Sequence, residues 1–430
     1  MIKLFARPNL VQFARLVLPA MAVSYYLVLE MDLSMCYIHA SVLEAIPSCS
    51  ADANTTTLPK ASPPSPGDAS RRVAVVFPLQ GNVYPRGEFD IQMSFGNSQN
   101  LYSMNIDTGS DVPWVQCQMP RQAVYPQPGK DKMIPCDDPR CQAVLASTGT
   151  KKCVSKGRCD YKVRYVDSYA KGVLIADTLT LRLTNGSTIR PLVAFGCGKW
   201  LKVKDEQALP DGMLGLGSGE ISILSQLSCQ RLFGKFTGHC LNSRGGGYFF
   251  LEDDGRVPPG GITWVPMTPS NHYSPGSASL FWDNQSLGSK LIKVLPDSGA
   301  TFTYFGLEPY ASFISTLNGY VSKQPLKRAY DDHSQPHCWR DPKKFRTIAD
   351  AQPYFKNLEL RFANGAALMT LPPVNHLIIS DKGNACLCIL NGTQIGLNRV
   401  IGDISMLDRL VIYDNDKLRI GWASTDFCRV

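Results

Sequence analysis

Ile106-Asp107-Thr108-Gly109-Ser110 and Pro296-Asp297-Ser298-Gly299-Ala300 are two copies of one short motif, Asp-Ser/Thr-Gly, placed in opposite halves of the chain. At nearly equal intervals each is followed by two apolar residues and a glycine, Met213-Leu214-Gly215 after the first and Val400-Ile401-Gly402 after the second. Alone, either motif reads as an ordinary turn, because Asp, Ser and Gly are residues that turns select. Two copies with matched downstream partners read as a duplicated domain that brings two carboxylates together.

Composition agrees with such a duplication. At 430 residues the chain is long for one core, so two domains are expected. With 35 Gly and 30 Pro, 44% hydrophobic and 19% charged residues, it reads as turn-rich and β-rich rather than as a helical bundle. The net charge of +8 comes from scattered Lys and Arg, and no nucleic-acid-binding motif accompanies it. Fourteen cysteines point to an oxidising compartment, with Cys136/Cys141 and Cys153/Cys159 read as small local disulfide loops. Cys386 and Cys388 have the wrong spacing for a zinc knuckle and only six His are available, so no metal or other cofactor is expected.

The N-terminus has the pattern of an exported protein. Lys3, Arg7 and Arg15 precede the apolar run Leu16 to Leu29, no acid comes before Glu30, and Ala20-Met21-Ala22 offers a small-residue cleavage site. A signal peptide over 1–29 is expected, followed by a prosegment or linker over 30–76 whose residues 47–70 are rich in Pro, Ser, Ala and Thr. The broken apolar run is short for a membrane span, so no stable membrane association is expected. The route is the secretory pathway, to the cell exterior or a vacuole. Asn54, Asn185, Asn284 and Asn391 then become glycosylation acceptors.

From Val73 onward short alternating runs predict strands. Tyr161, Val163 and Tyr165 alternate with Lys162 and Arg164. Leu179, Leu181 and Leu183 do the same before the hairpin turn Asn185-Gly186. Helices are few: Tyr310, Phe313, Ile314, Leu317 and Val321 follow helical spacing behind Pro309, and Ile221, Leu224 and Leu227 mark another. The expected architecture is mainly β with two lobes. Residues 77–258 carry Asp107 and residues 259–430 carry Asp297, with the boundary near Pro258-Pro259-Gly260-Gly261.

Two carboxylates facing each other across a pseudo-two-fold axis cannot both ionise easily, so they share one proton and titrate as a unit. The ionised member can take a proton from water while the protonated member polarises a carbonyl, which is the chemistry of peptide hydrolysis. Gly109 and Gly299 permit the tight turns, Thr108 and Ser298 can brace one loop against the other, and Ser110 offers its hydroxyl to Asp107.

These stretches, with Phe77-Pro-Leu-Gln-Gly-Asn-Val-Tyr84, Asp211-Gly-Met-Leu-Gly-Leu-Gly217 and Gly238-His-Cys-Leu241, make the chain from about Phe77 to Cys428 resemble the pepsin-type aspartic proteases, and within them the plant nucellin-like group. The resemblance implies a bilobal β fold with a substrate cleft between the lobes. It also implies a hairpin flap carrying Tyr165, whose hydroxyl bonds the Trp114 indole, and a Cys338/Cys386 disulfide. It further implies a monomeric endopeptidase acting on proteins and peptides at acid pH. Three features depart from the family pattern. The flap tip, Asp167 to Lys171, lacks the usual Gly-Ser and puts Tyr169 where substrate is expected to pass. Pro296 and Ala300 flank the second motif, where they remove an N–H and a hydroxyl. Cys117 lacks its usual partner and is expected to be unpaired, and Cys229 and Cys388 are additional. The alternative these departures favour is a weak or inactive relative that binds a protein partner in the cleft.

Overall fold

The structure is a computed structural model. It describes residues 73–430 except 98, 118–124, 151–152, 154–156, 167, 202–209, 269, 271, 289, 426–427 and 430. The expected signal peptide, most of the prosegment and Asn54 lie outside these residues. All described residues belong to one compact unit.

The fold is mainly β, with a bilobal arrangement of sheets. One long sheet begins in the second half of the chain with Thr263–Pro266, Arg419–Ser424 and Arg409–Asp414. It passes through Phe236–Leu241 and Gly247–Leu251 to Val75–Asn82. It then continues into the first half through Glu88–Phe95, Tyr102–Asp107, Gly212–Gly215, Trp114–Gln116, Leu192–Leu201 and Tyr169–Arg182, ending at Asp160–Arg164. Three smaller sheets complete the second half.

The duplication read from the motifs recurs in the strand pairing. Tyr102–Asp107 runs parallel to Gly212–Gly215, with Asp107 opposite Gly215. That strand pairs antiparallel with Trp114–Gln116, which pairs parallel with Leu192–Leu201. In the second half Leu295–Pro296 runs parallel to Arg399–Ile401, which pairs antiparallel with Thr303–Phe305, itself parallel to Ile389–Asn391. The matched glycines end the returning strands because backbone passes close there. A side chain on Gly215 would strike Asp111, and one on Gly402 would strike Ala300 and Phe302.

Local patterns behave as their periodicity requires. Tyr161 and Val163 are buried on Asp160–Arg164, and the turn at Asn185-Gly186 returns Thr188–Ile189 against Leu181–Arg182. Helix Leu307–Val321 buries Phe313, Leu317 and Val321, one face of a helix. Helix Pro139–Thr148 was not expected, although its ends are marked. Asp138 caps it through the Arg140 N–H, Pro139 occupies its first turn, and Gly149 closes it in the left-handed region. No described helix is long and apolar enough to cross a membrane.

That helix overturns the local cysteine loops. Cys141 sits on its buried side and bonds Cys159 at the start of the neighbouring strand, while Cys136, ahead of the cap, bonds Cys153 beyond the helix end. Cys117 is also paired, contrary to expectation. The parallel register that sets Gln116 opposite Gly198 brings Cys117 and Cys197 to a Cα separation of 5.4 Å, and they are bonded. Cys240 is joined to Cys428 and Cys338 to Cys386, and Cys229 is also disulfide-bonded. Cys388 is a free, buried thiol. Peptide mapping of the unreduced protein is expected to recover Cys136 with Cys153 and Cys141 with Cys159. A Cys136–Cys141 peptide would contradict the helix placement.

Candidate active site

The two motif loops meet. A side chain on Gly109 would collide with the Asp297 carboxylate, and one on Gly299 would collide with that of Asp107, so each glycine lies against the opposite acid. Each carboxylate is also held by its own loop, Asp107 by the Gly109 N–H and Asp297 by the Gly299 N–H, both at 2.9 Å. The hydroxyl residues between them cross over. Thr108 N–H donates to Ser298 Oγ at 3.2 Å and Ser298 N–H to Thr108 Oγ1 at 3.0 Å. Each hydroxyl then donates onward, Thr108 to the Pro296 carbonyl at 3.3 Å and Ser298 to the Ile106 carbonyl at 3.0 Å. Pro296 thus lacks an N–H but still serves as an acceptor, and Asp297 N–H reaches Ile401 O at 2.9 Å.

The acids differ in their surroundings. Ser110 donates its hydroxyl to Asp107 Oδ2 at 2.5 Å, whereas Ala300 offers Asp297 nothing equivalent. Burial holds the Asp107 carboxyl well above the usual carboxylate range, and the charge of Asp297 raises it further. Burial also raises Asp297, against the hydrogen bond it accepts from the Gly299 N–H. Both carboxyls are raised by burial, so the pair holds one proton between them.

Tyr165 lies close to Asp107. Its hydroxyl accepts from Trp114 Nε1 at 2.8 Å, and burial together with the Asp107 charge pushes it far up. Tyr165 N–H donates to Ser168 O at 3.0 Å, which closes the hairpin tip. Tyr169 lies opposite Arg164 and packs under Lys162, so it occupies the other side of the hairpin from Tyr165. Its bulk is not on the Tyr165 face, contrary to the sequence expectation, because strand alternation turns it away.

A second group of acids behind the dyad was not singled out from the sequence. Asp403 is buried, its Oδ1 has no partner, and its carboxyl is raised by burial and then by Asp297. Its N–H donates to the Ala300 carbonyl at 2.8 Å, and the adjacent Thr301 hydroxyl donates to the Gly87 carbonyl. Beyond Gly87, Arg86 bridges buried Glu88 at 3.2 Å and buried Asp90 at 3.0 Å. The alternation Glu88-Phe89-Asp90-Ile91 reads as a half-exposed strand, yet all four residues are buried, because this strand is covered on both sides.

Asn185, Asn284 and Asn391 are all exposed, as a glycan acceptor must be. Among the described residues, the two clusters with metal-ligand spacing contain cysteines already committed to disulfides, which offer no thiolate.

Glu88 gives this group a pH signature. Burial holds its carboxyl up to about 7, against 4.5 for a free Glu, with Arg86 opposing. The folded chain binds this proton more tightly than the unfolded chain, so the contribution to stability is complete below about 4.5 and is lost as pH rises through about 7. In Glu88→Gln the change in thermal midpoint over that window should lose this downward component. An unchanged pH dependence would assign it to other groups.

Comparison with known proteins agrees with the geometry. Family models described as "Xylanase inhibitor N-terminal" and "Xylanase inhibitor C-terminal" match residues 89–253 and 281–424. An aspartic proteinase of Oryza sativa subsp. japonica is 37% identical over 381 residues, 83% of this chain and 92% of that protein. Aspartic proteinase nepenthesin-1 of Nepenthes gracilis is 28% identical over 79% of this chain and 78% of its own length. Among solved structures, basic 7S globulin from soybean aligns with a TM-score of 0.66 at 17% identity, covering 81% of this chain and 94% of that one. With two motif loops facing each other and these relatives, the chain belongs to the family of pepsin-like aspartic proteases.

Proposed function

We propose that this protein is an aspartic endopeptidase that hydrolyses peptide bonds at acid pH with a water activated between Asp107 and Asp297. The observation that carries this reading is the mutual approach of the two Asp-Ser/Thr-Gly loops, each glycine against the opposite carboxylate. In the working state one carboxylate of the pair is ionised and takes a proton from the water. The water oxygen attacks the carbonyl carbon of the substrate, and the protonated member of the pair donates to the carbonyl oxygen. The tetrahedral diol collapses as the C–N bond breaks. The proton taken from the water passes to the leaving nitrogen, and one hydroxyl proton of the diol returns to the carboxylate that donated to the carbonyl. This leaves a carboxylic acid, an amine and a dyad that again holds one proton. Thr108 and Ser298 hold the loops in register, and Tyr165, fixed by Trp114, covers the reacting centre.

The disulfides support passage through an oxidising secretory compartment. The division near residue 258 is retained as the lobe boundary, and exposed Asn185, Asn284 and Asn391 as glycan acceptors. The second reading, a partner-binding relative without activity, draws on the inhibitor descriptions of the matching family models. The complete dyad favours the enzyme.

Cleavage of a denatured protein at acid pH, blocked by a transition-state peptide analogue, is the direct test. Asp107→Asn and Asp297→Asn should each nearly abolish it with the fold intact. The rate should follow a bell-shaped pH profile that declines toward neutrality, as the raised pair loses its shared proton. Full activity in either variant would rule out the shared dyad. Trp114→Phe should lower kcat/KM about fivefold, the loss of one hydrogen bond of about 1 kcal/mol to Tyr165. An unchanged rate would remove Tyr165 from the machinery.

A further inference from the structure

The hairpin that carries Tyr165 has a second face for which hydrolysis has no use. Lys162 lies opposite Lys171, and Lys171 lies opposite Lys199. Directly opposed residues project to the same side of a sheet, so three ammonium groups stand in one row across three strands. Arg164 and Tyr169 share that side, with Lys162 Nζ lying 4.1 Å from the Tyr169 ring centre. Arg164 and Lys171 are exposed, and Lys162 and Lys199 are half-buried. None of the four cations has an ion-pair partner among the described residues. Asp160, the acid on the same side, is taken by Arg158 at 3.1 Å.

Like charges set directly opposite weaken strand pairing. Lysine on an edge strand deters edge-to-edge association, which accounts for Lys162 and Arg164 on Asp160–Arg164. It does not account for Lys171 and Lys199, which lie on interior strands of the sheet. A row that disfavours its own sheet and has no counter-charge among the described residues is complementary to an external anion.

We propose that this face is an exosite for acidic polypeptide, a run of Asp and Glu flanking the segment that occupies the cleft. The proposal deepens the protease reading and rests on it. An extended chain sends every second side chain to one side, about 6.7 Å apart, the same interval that separates Lys162 from Arg164 along their strand. The hairpin already lies where a polypeptide must pass on this reading, because Tyr165 on its other face lies close to Asp107.

Fluorescein-labelled oligo-glutamate, titrated with the full chain at pH about 5.5 where glutamates are ionised, tests the proposal by anisotropy. Binding is expected, weakening with salt. It should fall about tenfold or more in Lys171→Glu/Lys199→Glu, and measurably in the charge-removing Lys171→Gln/Lys199→Gln. Lys323→Glu/Lys327→Glu, an equal change of net charge at exposed sites elsewhere, should leave it intact. Substrate peptides with acidic flanks should lose kcat/KM in the first variant, and neutral-flanked peptides should not. Absence of oligo-glutamate binding, or equal losses in the patch and control variants, would overturn the proposal. Binding of oligogalacturonate in place of oligo-glutamate would overturn it in favour of an acidic polysaccharide. Failure to cleave the neutral peptide would count against the protease reading alone, because the anisotropy result decides the exosite without catalysis.

Discussion

Two carboxylates packed against each other's glycines form the constraint on which the rest of this structure depends. Both acids are raised by burial, and each needs hydrogen bonds that its own loop supplies only in part. The crossed bonds of Thr108 and Ser298 tie each loop to the other's backbone and leave both hydroxyls with a carbonyl acceptor. Buried polar groups are costly unless every donor is used, so this network sets the loops at one separation rather than a range.

The strands beneath the loops answer the same demand. Each motif ends a strand that runs parallel to the one bearing its partner glycine, and Gly215 and Gly402 are needed because the backbone of residues 111 and 300–302 passes so near. The contact between Thr301 and Gly87 adds a further tie from the second loop to the first half of the chain. Arg86, Glu88 and Asp90 lie just beyond it, so the acid-rich environment of the dyad extends into the neighbouring strand.

The flap hairpin shows how one β element can serve two purposes. Alternation places Tyr161, Val163 and Tyr165 toward the Trp114 cluster and Lys162, Arg164, Tyr169 and Lys171 to the other side. Among the tip residues, Tyr169 and Lys171 therefore fall on the side opposite Tyr165. Tyr165 retains its bond to Trp114 despite them.

Much of this was legible in the chain itself. The repeated Asp-Ser/Thr-Gly with its matched glycine encodes local turns and strand ends, and period-two alternation at Tyr161–Val163 and helical spacing at Phe313–Leu317–Val321 are properties of consecutive residues. The disulfide partners of Cys117, Cys136 and Cys141 were not legible, because pairing depends on which backbone segments meet. Helix Pro139–Thr148 and the parallel register at Gln116–Gly198 decided it. Nor could the sequence show that Glu88, Asp90 and Asp403 are buried, since an acid in an alternating run is ordinarily solvated and only the layers packed above it remove the water. The three-strand row of Lys162, Lys171 and Lys199 is likewise a product of register. The order of residues along the chain specifies which carboxylates form a pair and which residues turn beside them. What surrounds that pair was left to the packing of the folded chain, because burial, charge opposition and disulfide reach depend on distances between segments remote in sequence.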